Sequence, residues 1–248
     1  IAVLSGYSTE RSSGDIDLAT ADSGNNGVSG ALRFATGTTS NGNSGSISLS
    51  TGTSTLGKGG AVLLSVGAGN TANGGDIALT AGQTTSDGGA GGDLIFTAGV
   101  ATRGVGGSVQ VAGGASAASA GGAMTFEGGV GHALTGGSIA VHSGRSASTT
   151  SGSIDVGTAN AGHNGVSGSL TFSTGTTSRG NSGAVAVRTG DATNGKSGAV
   201  RITVGTGNTA SGGRIAIVSG TTTDTSSGGA IAVLSGYSTE RSSGDIDL

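Results

Sequence analysis

Residues 15–30 read DIDLATADSGNNGVSG, and they contain the pattern that the rest of the chain repeats. Ile16 and Leu18 are apolar, whereas Asp15, Asp17 and Ala19 around them are charged or small. The segment closes on Gly30. Because so short a segment cannot bury an apolar side alone, neighbouring segments must supply the other half of any core. We therefore expect the fold to be an array of similar segments.

Fourteen further segments follow the same pattern when they are aligned on the closing glycine. Eleven of the fifteen repeats share one common 15-residue length, three are 16-residue repeats and one is a 17-residue repeat. When each repeat is numbered from its first residue, positions 2 and 4 are apolar in all fifteen. The repeats span residues 15–30, 31–45, 46–60, 61–75, 76–92, 93–107, 108–122, 123–137, 138–152, 153–168, 169–183, 184–198, 199–213, 214–229 and 230–244.

Apolar residues at positions 2 and 4, separated by variable ones, are typical of a strand with one buried face. Position 7 is glycine except at Ala21 and Ala159, and the last position is always glycine. Glycine at two fixed positions predicts two corners where the backbone needs positive φ or close approach. Residues between the corners, such as 38–41 and 53–56, are predicted to form a second short strand. The pattern predicts an all-β, two-sheet β-solenoid in which each coil is one repeat of about 15 residues.

Repetition also occurs over longer distances. Residues 1–18 recur letter for letter at 231–248, a 230-residue offset that equals the summed length of the fifteen repeats. We therefore expect residues 1–14 to end a preceding unit, 15–244 to form one unit and 245–248 to begin the next. The predicted solenoid is uncapped and part of a longer array. A weaker similarity, with a 138-residue offset, relates positions 25–45 to 163–183.

The composition excludes several classes of protein. The chain has 55 glycines among 248 residues but no proline and no cysteine, and glycine follows no three-residue period, which rules out collagen and disulfide scaffolds. Charged residues make up only 10%, which argues against a disordered polyelectrolyte. A formal net charge of −3 leaves no basic stripe for nucleic acid. No apolar run approaches the roughly 20 residues needed to span a bilayer.

Three aspartates provide a weak candidate metal site. Asp76 and Asp93 occupy position 1 of neighbouring repeats, and Asp87 lies between them in the 17-residue repeat. Residues 88–95, GGAGGDLI, match one calcium β-roll nonapeptide, but such rolls need that motif repeated about every nine residues. Solvated carboxylates at a bulge are the simpler interpretation, and a weak cation site is the alternative.

Residues 190–197, GDATNGKS, match the letters of a phosphate-binding loop. That motif works between a strand and a helix, whereas another apolar segment follows it here. The similar letters GTSTLGKGG at 52–60 indicate that the match arises from the repeat itself. No serine–histidine–carboxylate or metal-ligand cluster is predicted to converge. We expect no enzymatic activity and no cofactor.

Several large apolar residues occupy positions that the predicted solenoid turns outward, where polar residues would be favoured. Val218 and Leu234 lie in adjacent repeats, with Tyr237 close by in the second one. These residues are the predicted sites of lateral contact between filaments or subunits. The full set of lateral candidates is Leu4, Leu63, Ile95, Val218, Leu234 and Tyr237.

Segments such as SGSISLSTGTST at 44–55, GGDIALTAGQTT at 74–85 and SGAVAVRTGDAT at 182–193 resemble a known kind of sequence. They are similar to the Gly/Ser/Thr-rich tandem-repeat proteins of stramenopiles and related protists, including mastigoneme-like and surface-filament shaft proteins. The resemblance implies an extracellular structural protein that forms the shaft of a flagellar hair or another surface filament. Expected partners are copies of itself or continuing repeats of the same chain, with O-linked glycans possible on exposed Ser and Thr.

Two alternatives to a filament shaft stay open at this stage. An ice-binding protein would present a flat threonine array, and positions 8 and 10 carry Thr38, Ser40, Thr53 and Thr55. Tyr7 and other large residues interrupt that array. An adhesive or matrix repeat protein is the other alternative, and the domains flanking the repeats would distinguish it from a shaft.

Overall fold

The computed structural model describes residues 1–71, 73–209 and 211–247. It divides into two bodies, Ile1–Met124 and Thr125–Leu248, so the division falls inside the repeat 123–137. Neither a helix nor a strand occurs in the described residues of either body. Short bends and turns interrupt otherwise irregular backbone, and they fall mainly between position 7 of a repeat and its closing glycine.

The predicted two-sheet β-solenoid is therefore wrong for this chain. Its solvent-accessible surface is 24875 Å². A compact monomer of 22.9 kDa would expose about 9,600 Å², and the fully unfolded chain about 33,000 Å². No described residue is buried, and only Ser5, Ala81, Ala98, Ser146 and Ser219 reach intermediate burial. The described residues thus lack the core that two stacked sheets would enclose.

The composition of each repeat explains why one chain does not build that core. Positions 2 and 4 supply two large apolar side chains per repeat, whereas the segment expected to face them consists mainly of Thr, Ser, Asn, Ala and Gly. Burial of those small residues removes little apolar area from water, which does not offset the entropy lost when a glycine-rich backbone is ordered. Alternating apolar residues therefore did not ensure strand pairing.

The regular element of this structure is a narrow point in each repeat, which we call the neck. The neck consists of position 6, position 7 (the corner) and the closing glycine. In the repeat 76–92, the amide of Gly92 donates to the carbonyl of Gly82 over 2.9 Å. This bond brings the two ends of residues 83–91 together, so those residues form a closed loop. Each repeat therefore consists of an apolar segment, a neck and a loop.

The two glycines of the neck differ in their surroundings. A Cβ built on any corner glycine would meet nothing within 4 Å, as at Gly129. Alanine therefore fits the corner, which explains Ala21 and Ala159. A Cβ on the closing glycine would instead meet the neck itself; at Gly137, it would lie 2.9 Å from the amide nitrogen of Gly129. Close approach thus requires glycine at closing positions such as Gly137, whereas at Gly244 a Cβ would make ordinary contact at 3.6 Å.

Positive φ, the other predicted reason for the fixed glycines, does not apply to them. The described glycines with positive φ are Gly42, Gly88 and Gly180, at 129°, 75° and 118°. All three lie inside loops, away from both neck positions. The 138-residue offset relates Gly42 to Gly180, so this feature follows the internal similarity already visible in the sequence.

The four longer repeats accommodate their additional residues in local turns. The amide of Gly27 donates to the carbonyl of Gly24, and Gly165 donates to Gly162 in the same way. In the 17-residue repeat, Gly89 donates to Ser86. The fourth long repeat, 214–229, uses a cluster of side-chain bonds around Asp224 instead. The inserted residues therefore leave the spacing of positions 1–7 unchanged.

The asymmetry of the neck predicts opposite results for two alanine substitutions in one repeat. Gly137→Ala should separate the neck, because its Cβ would press on the amide of Gly129. Gly129→Ala should leave the neck closed, because its Cβ projects into open space. Amide hydrogen exchange of residue 137, measured by NMR, should become faster in the first variant only. Equal exchange in both variants would contradict the proposed role of the closing glycine.

Candidate interaction surface

The necks fall into two classes according to the residue at position 6. Eight necks carry a backbone hydrogen bond from the closing glycine to the corner glycine, at 2.8–3.0 Å. In every one of these eight, position 6 is Ser, Ala or Gly. In the eight other described necks, position 6 is Thr or Val, and no such bond forms. The closed necks have Ser5, Ala81, Ala98, Gly113, Gly128, Ser143, Ser219 or Ser235 at position 6.

A branched β-carbon keeps the neck open for a steric reason. A Cβ built on Gly75 would lie only 2.8 Å from Cγ1 of Val66, so that methyl group already occupies the space facing the closing glycine. In the closed class the opposite holds, and a Cβ on Gly113 would overlap the carbonyl of Gly122. The smaller the residue at position 6, the closer the two backbone segments approach.

Two open necks use a side-chain bond instead. The hydroxyl of Thr20 donates to the carbonyl of Gly30 over 3.1 Å, and the hydroxyl of Thr51 donates to Gly60 over 3.3 Å. In these two necks, threonine separates the backbone segments with its methyl group and bridges them with its hydroxyl. The remaining open necks in the described residues have neither bond.

The loops differ between the two classes as well. In the closed repeats that have Ser or Thr at position 9, its hydroxyl accepts hydrogen bonds from backbone amides two or three residues later, the local motif that Ser and Thr favour in turns. The hydroxyl of Ser146 accepts from Ser148 and Thr149, and Ser238 accepts from Glu240 and Arg241. In two open repeats, Ser23 and Thr177 at position 9 donate to carbonyls instead. Within the described residues, the hydroxyl at position 9 therefore accepts from a backbone amide in closed repeats only.

The two classes occur in runs along the chain. Four open repeats at 15–75 precede five closed repeats at 76–152. Four open repeats at 153–213 then precede two closed ones at 214–244. The open runs are separated by the 138-residue offset found in the sequence. The internal similarity therefore corresponds to an alternation of runs of open necks and runs of closed necks.

The apolar residues at positions 2 and 4 are the most regular exposed feature, and we call the two residues of one repeat its apolar pair. Exposure is 43–63% at position 2 and 55–80% at position 4 across the fifteen repeats. Between them, Ile95 is 78% exposed, more than Leu94 at 53% or Phe96 at 69%. Each apolar pair therefore lies on the less exposed side of its segment but is far from buried.

The predicted lateral residues all lie in solvent. Val218, Leu234 and Tyr237 are 85%, 84% and 87% exposed. Leu4, Leu63 and Ile95 are exposed to a similar extent. The predicted core positions are exposed too, so inward and outward residues differ only in the size of their exposed fraction. The assignment of these six residues to lateral contacts stays a prediction.

The three aspartates of the candidate metal site do not form one. Among the described residues, no group of three or more His, Cys, Asp or Glu side chains could hold a metal ion. Asp87 lies within the turn that the amide of Gly89 closes onto Ser86. Asp76 and Asp93 each follow directly after a closing glycine, in different repeats. The expectation that they would lie one above another depended on stacked strands, and the described residues form no strand.

Other predicted features also depended on regular secondary structure. The described residues contain no helix after the phosphate-loop-like segment at 190–197 and no strand that could carry a flat threonine array. They also enclose no pocket. Across the described ranges, no helix is both long enough and apolar enough to cross a membrane.

The carboxylate of Asp224 lies in a cluster of local hydrogen bonds. Its pKa lies below the ordinary value because the backbone amide of Thr225 donates to its carboxylate, and the hydroxyls of Thr225 and Ser226 add further bonds. The amide of Asp224 donates in turn to the hydroxyl of Thr222. The cluster is fully solvent-exposed and organises a turn rather than a binding site.

Comparison with known proteins yields no relative for this chain: no family model, no curated protein and no solved structure matches it.

Sequence reasoning identified the apolar pairs but missed the neck. One signal was available, because alanine replaces glycine at the corner twice and never at the closing position. A second signal was the division of position 6 into small and β-branched residues in runs. The solenoid hypothesis treats the two alanines as marks of a distinctive repeat and position 6 as the small residue that ends a strand, so it gives no reason to compare the two glycines.

Reciprocal substitutions at position 6 should exchange the two neck classes. Ser143→Thr should open the neck of residues 138–152, and Thr36→Ser should close that of residues 31–45. Loss or gain of one exposed backbone hydrogen bond should change amide exchange at Gly152 and Gly45 roughly two- to tenfold, in opposite directions. Ser143→Ala is the matched control, because alanine occupies the closed necks of Ala81 and Ala98. Faster exchange in this control would contradict the steric explanation.

The turn around Asp224 should be sensitive to acid. Because the lowered pKa stabilises the carboxylate, the bonds are fully present above the ordinary value of 3.8 and should be lost as pH falls through the lowered pKa. The amide of Thr225, followed by NMR during an acid titration, should shift with that midpoint. Asp224→Asn keeps an oxygen acceptor but does not titrate, so its curve should be flat over the same range. A midpoint above 3.8 in the unsubstituted protein would refute the interpretation.

Proposed function

We propose that the chain is a non-catalytic structural protein that forms the shaft of an extracellular filament or surface appendage by association with copies of itself or with continuing repeats. The observation that carries the proposal is the regular exposure of apolar pairs in all fifteen repeats. Apolar surface of this extent is unusual on a protein that remains monomeric in water. Association is the means by which such a surface leaves solvent.

The repeat architecture supports a mechanical role. Each repeat keeps positions 1–7 at a constant length and confines insertions to loops, so every apolar pair lies at the same spacing from its own corner, while the interval between successive pairs follows the repeat length. Repetition of a 230-residue unit, seen in the identity of 1–18 with 231–248, is what a protein with an axial period requires. The sequence resemblance to surface-filament proteins supports an extracellular location, with the exposed loop hydroxyls as acceptors for O-linked glycans.

Lateral contact between shafts is assigned to the exposed apolar residues outside the apolar pairs. Val218 and Leu234 occupy position 5 of adjacent repeats, and Tyr237 lies at the start of the following loop. All three are at least 84% exposed. Large apolar and aromatic side chains of this kind contribute strongly to protein interfaces.

The purified chain should form filaments of uniform diameter above a threshold concentration, visible by negative-stain electron microscopy and by sedimentation. A chain that stays monomeric at every concentration would refute the shaft. An amorphous network without uniform diameter would favour the matrix alternative instead.

Leu234→Asp should reduce bundling of filaments while leaving their individual diameter unchanged, because it places a charge in the lateral contact. Val105→Asp is the matched control, since Val105 is an apolar residue of a loop and is 98% exposed. Equal loss of bundling in both variants would assign the effect to net charge rather than to this contact.

A further inference from the structure

The side of each segment that carries the apolar pair has no partner within the described residues. Leu94 and Phe96 keep about half or more of their surface in water, at 53% and 69% exposure. Met124, the least exposed member of the whole set, is still 43% exposed. The same side chain types recur at the same two positions in every repeat, so the surface is regular rather than a scattered set of apolar residues.

The amount of exposed surface is large compared with what an interface requires. The chain exposes 24875 Å², about 15,000 Å² more than a compact monomer of its mass. A stable protein–protein interface buries about 1,200–2,000 Å² in total. A small fraction of the excess would therefore suffice for specific association, and each of the fifteen repeats contributes an exposed apolar pair.

The spacing of the repeats indicates which partner fits. Repeat lengths follow an uneven order, with 16-residue repeats at 15–30, 153–168 and 214–229 and the 17-residue repeat at 76–92. A partner that contacts many apolar pairs at once must carry its own apolar residues at matching intervals. A second copy of this chain has the same order of repeat lengths. Each additional matched pair strengthens binding, because earlier contacts raise the effective concentration of the next one.

We infer that the apolar pairs at positions 2 and 4 form a docking surface for the same positions of a second copy of this chain. The inference rests on the proposed function, because it names the contact through which the shaft protein associates. It assigns this primary contact to positions 2 and 4, whereas residues such as Ile95 at position 3 remain available for lateral bundling. Unequal repeat lengths then act as register marks between the two copies.

Two apolar residues of one repeat provide a matched test of the surface. Phe96→Asp places a charge in the proposed contact, and Val105→Asp places the same charge in the loop of the same repeat, on a side chain that is 98% exposed. The concentration at which half of the protein sediments should rise at least about tenfold for Phe96→Asp, since a buried phenylalanine is among the larger apolar contributions. It should change less than about twofold for Val105→Asp, because that side chain belongs to neither the apolar pair nor the lateral set and buries no apolar area in either contact. An equal effect in both variants, or a larger one for Val105→Asp, would overturn the inference.

A change in repeat length tests the register. Deletion of residues 87–88 shortens the 17-residue repeat to the common length without touching any apolar pair. The deletion variant should still assemble with itself, but it should mix poorly with the unaltered chain in two-colour co-sedimentation. Free mixing of the two chains would overturn register matching between copies.

The outcomes separate this inference from the proposed function. Filaments that form equally well with Phe96→Asp would refute the docking surface and leave the shaft in place. Pairs of chains that Phe96→Asp dissociates, with no filament at any concentration, would refute the shaft and support the docking surface.

Discussion

The contact between the closing glycine and position 6 is the constraint on which the rest of each repeat depends. At this point, the size of one side chain decides whether the amide of the closing glycine reaches the carbonyl of the corner. Serine, alanine or glycine permits the bond, and threonine or valine prevents it. Where position 9 carries a hydroxyl, that group accepts from backbone amides in the closed repeats, as Ser146 does, whereas Ser23 and Thr177 of two open repeats donate to carbonyls.

The neck also separates the part of a repeat that varies in length from the part that is constant. Residues beyond the corner vary in number and composition, yet local turns at 24–27, 86–89 and 162–165 absorb the insertions. Residues before the corner keep constant length and present the apolar pair. The loops can therefore diverge without changing the spacing between an apolar pair and its own corner. Hydrogen bonds of the necks are exposed and individually weak, so the single chain derives little stability from them.

Exposure of the apolar pairs links this local architecture to assembly. A chain with 55 glycines loses much backbone entropy on ordering, and its small loop residues offer little apolar area to compensate. An isolated copy therefore leaves Leu94, Phe96 and their equivalents in water. Association between copies changes this balance, because each new contact removes apolar surface from both partners. The weakness of the single chain and the proposed role as a shaft thus have one physical origin.

The sequence by itself determined the period, the apolar pairs, the identity of 1–18 with 231–248 and the 138-residue similarity, because these are properties of residue type and spacing. It did not determine the partner of the apolar pairs. Alternating residues such as Ile16 and Leu18 fit a strand of a solenoid, but alternation records only which side of a segment is apolar. The tertiary structure decided that no sheet covers that side in the described residues. It also distinguished Gly129 from Gly137. A Cβ would meet open space at Gly129 but the backbone of the neck at Gly137, although both residues are glycine.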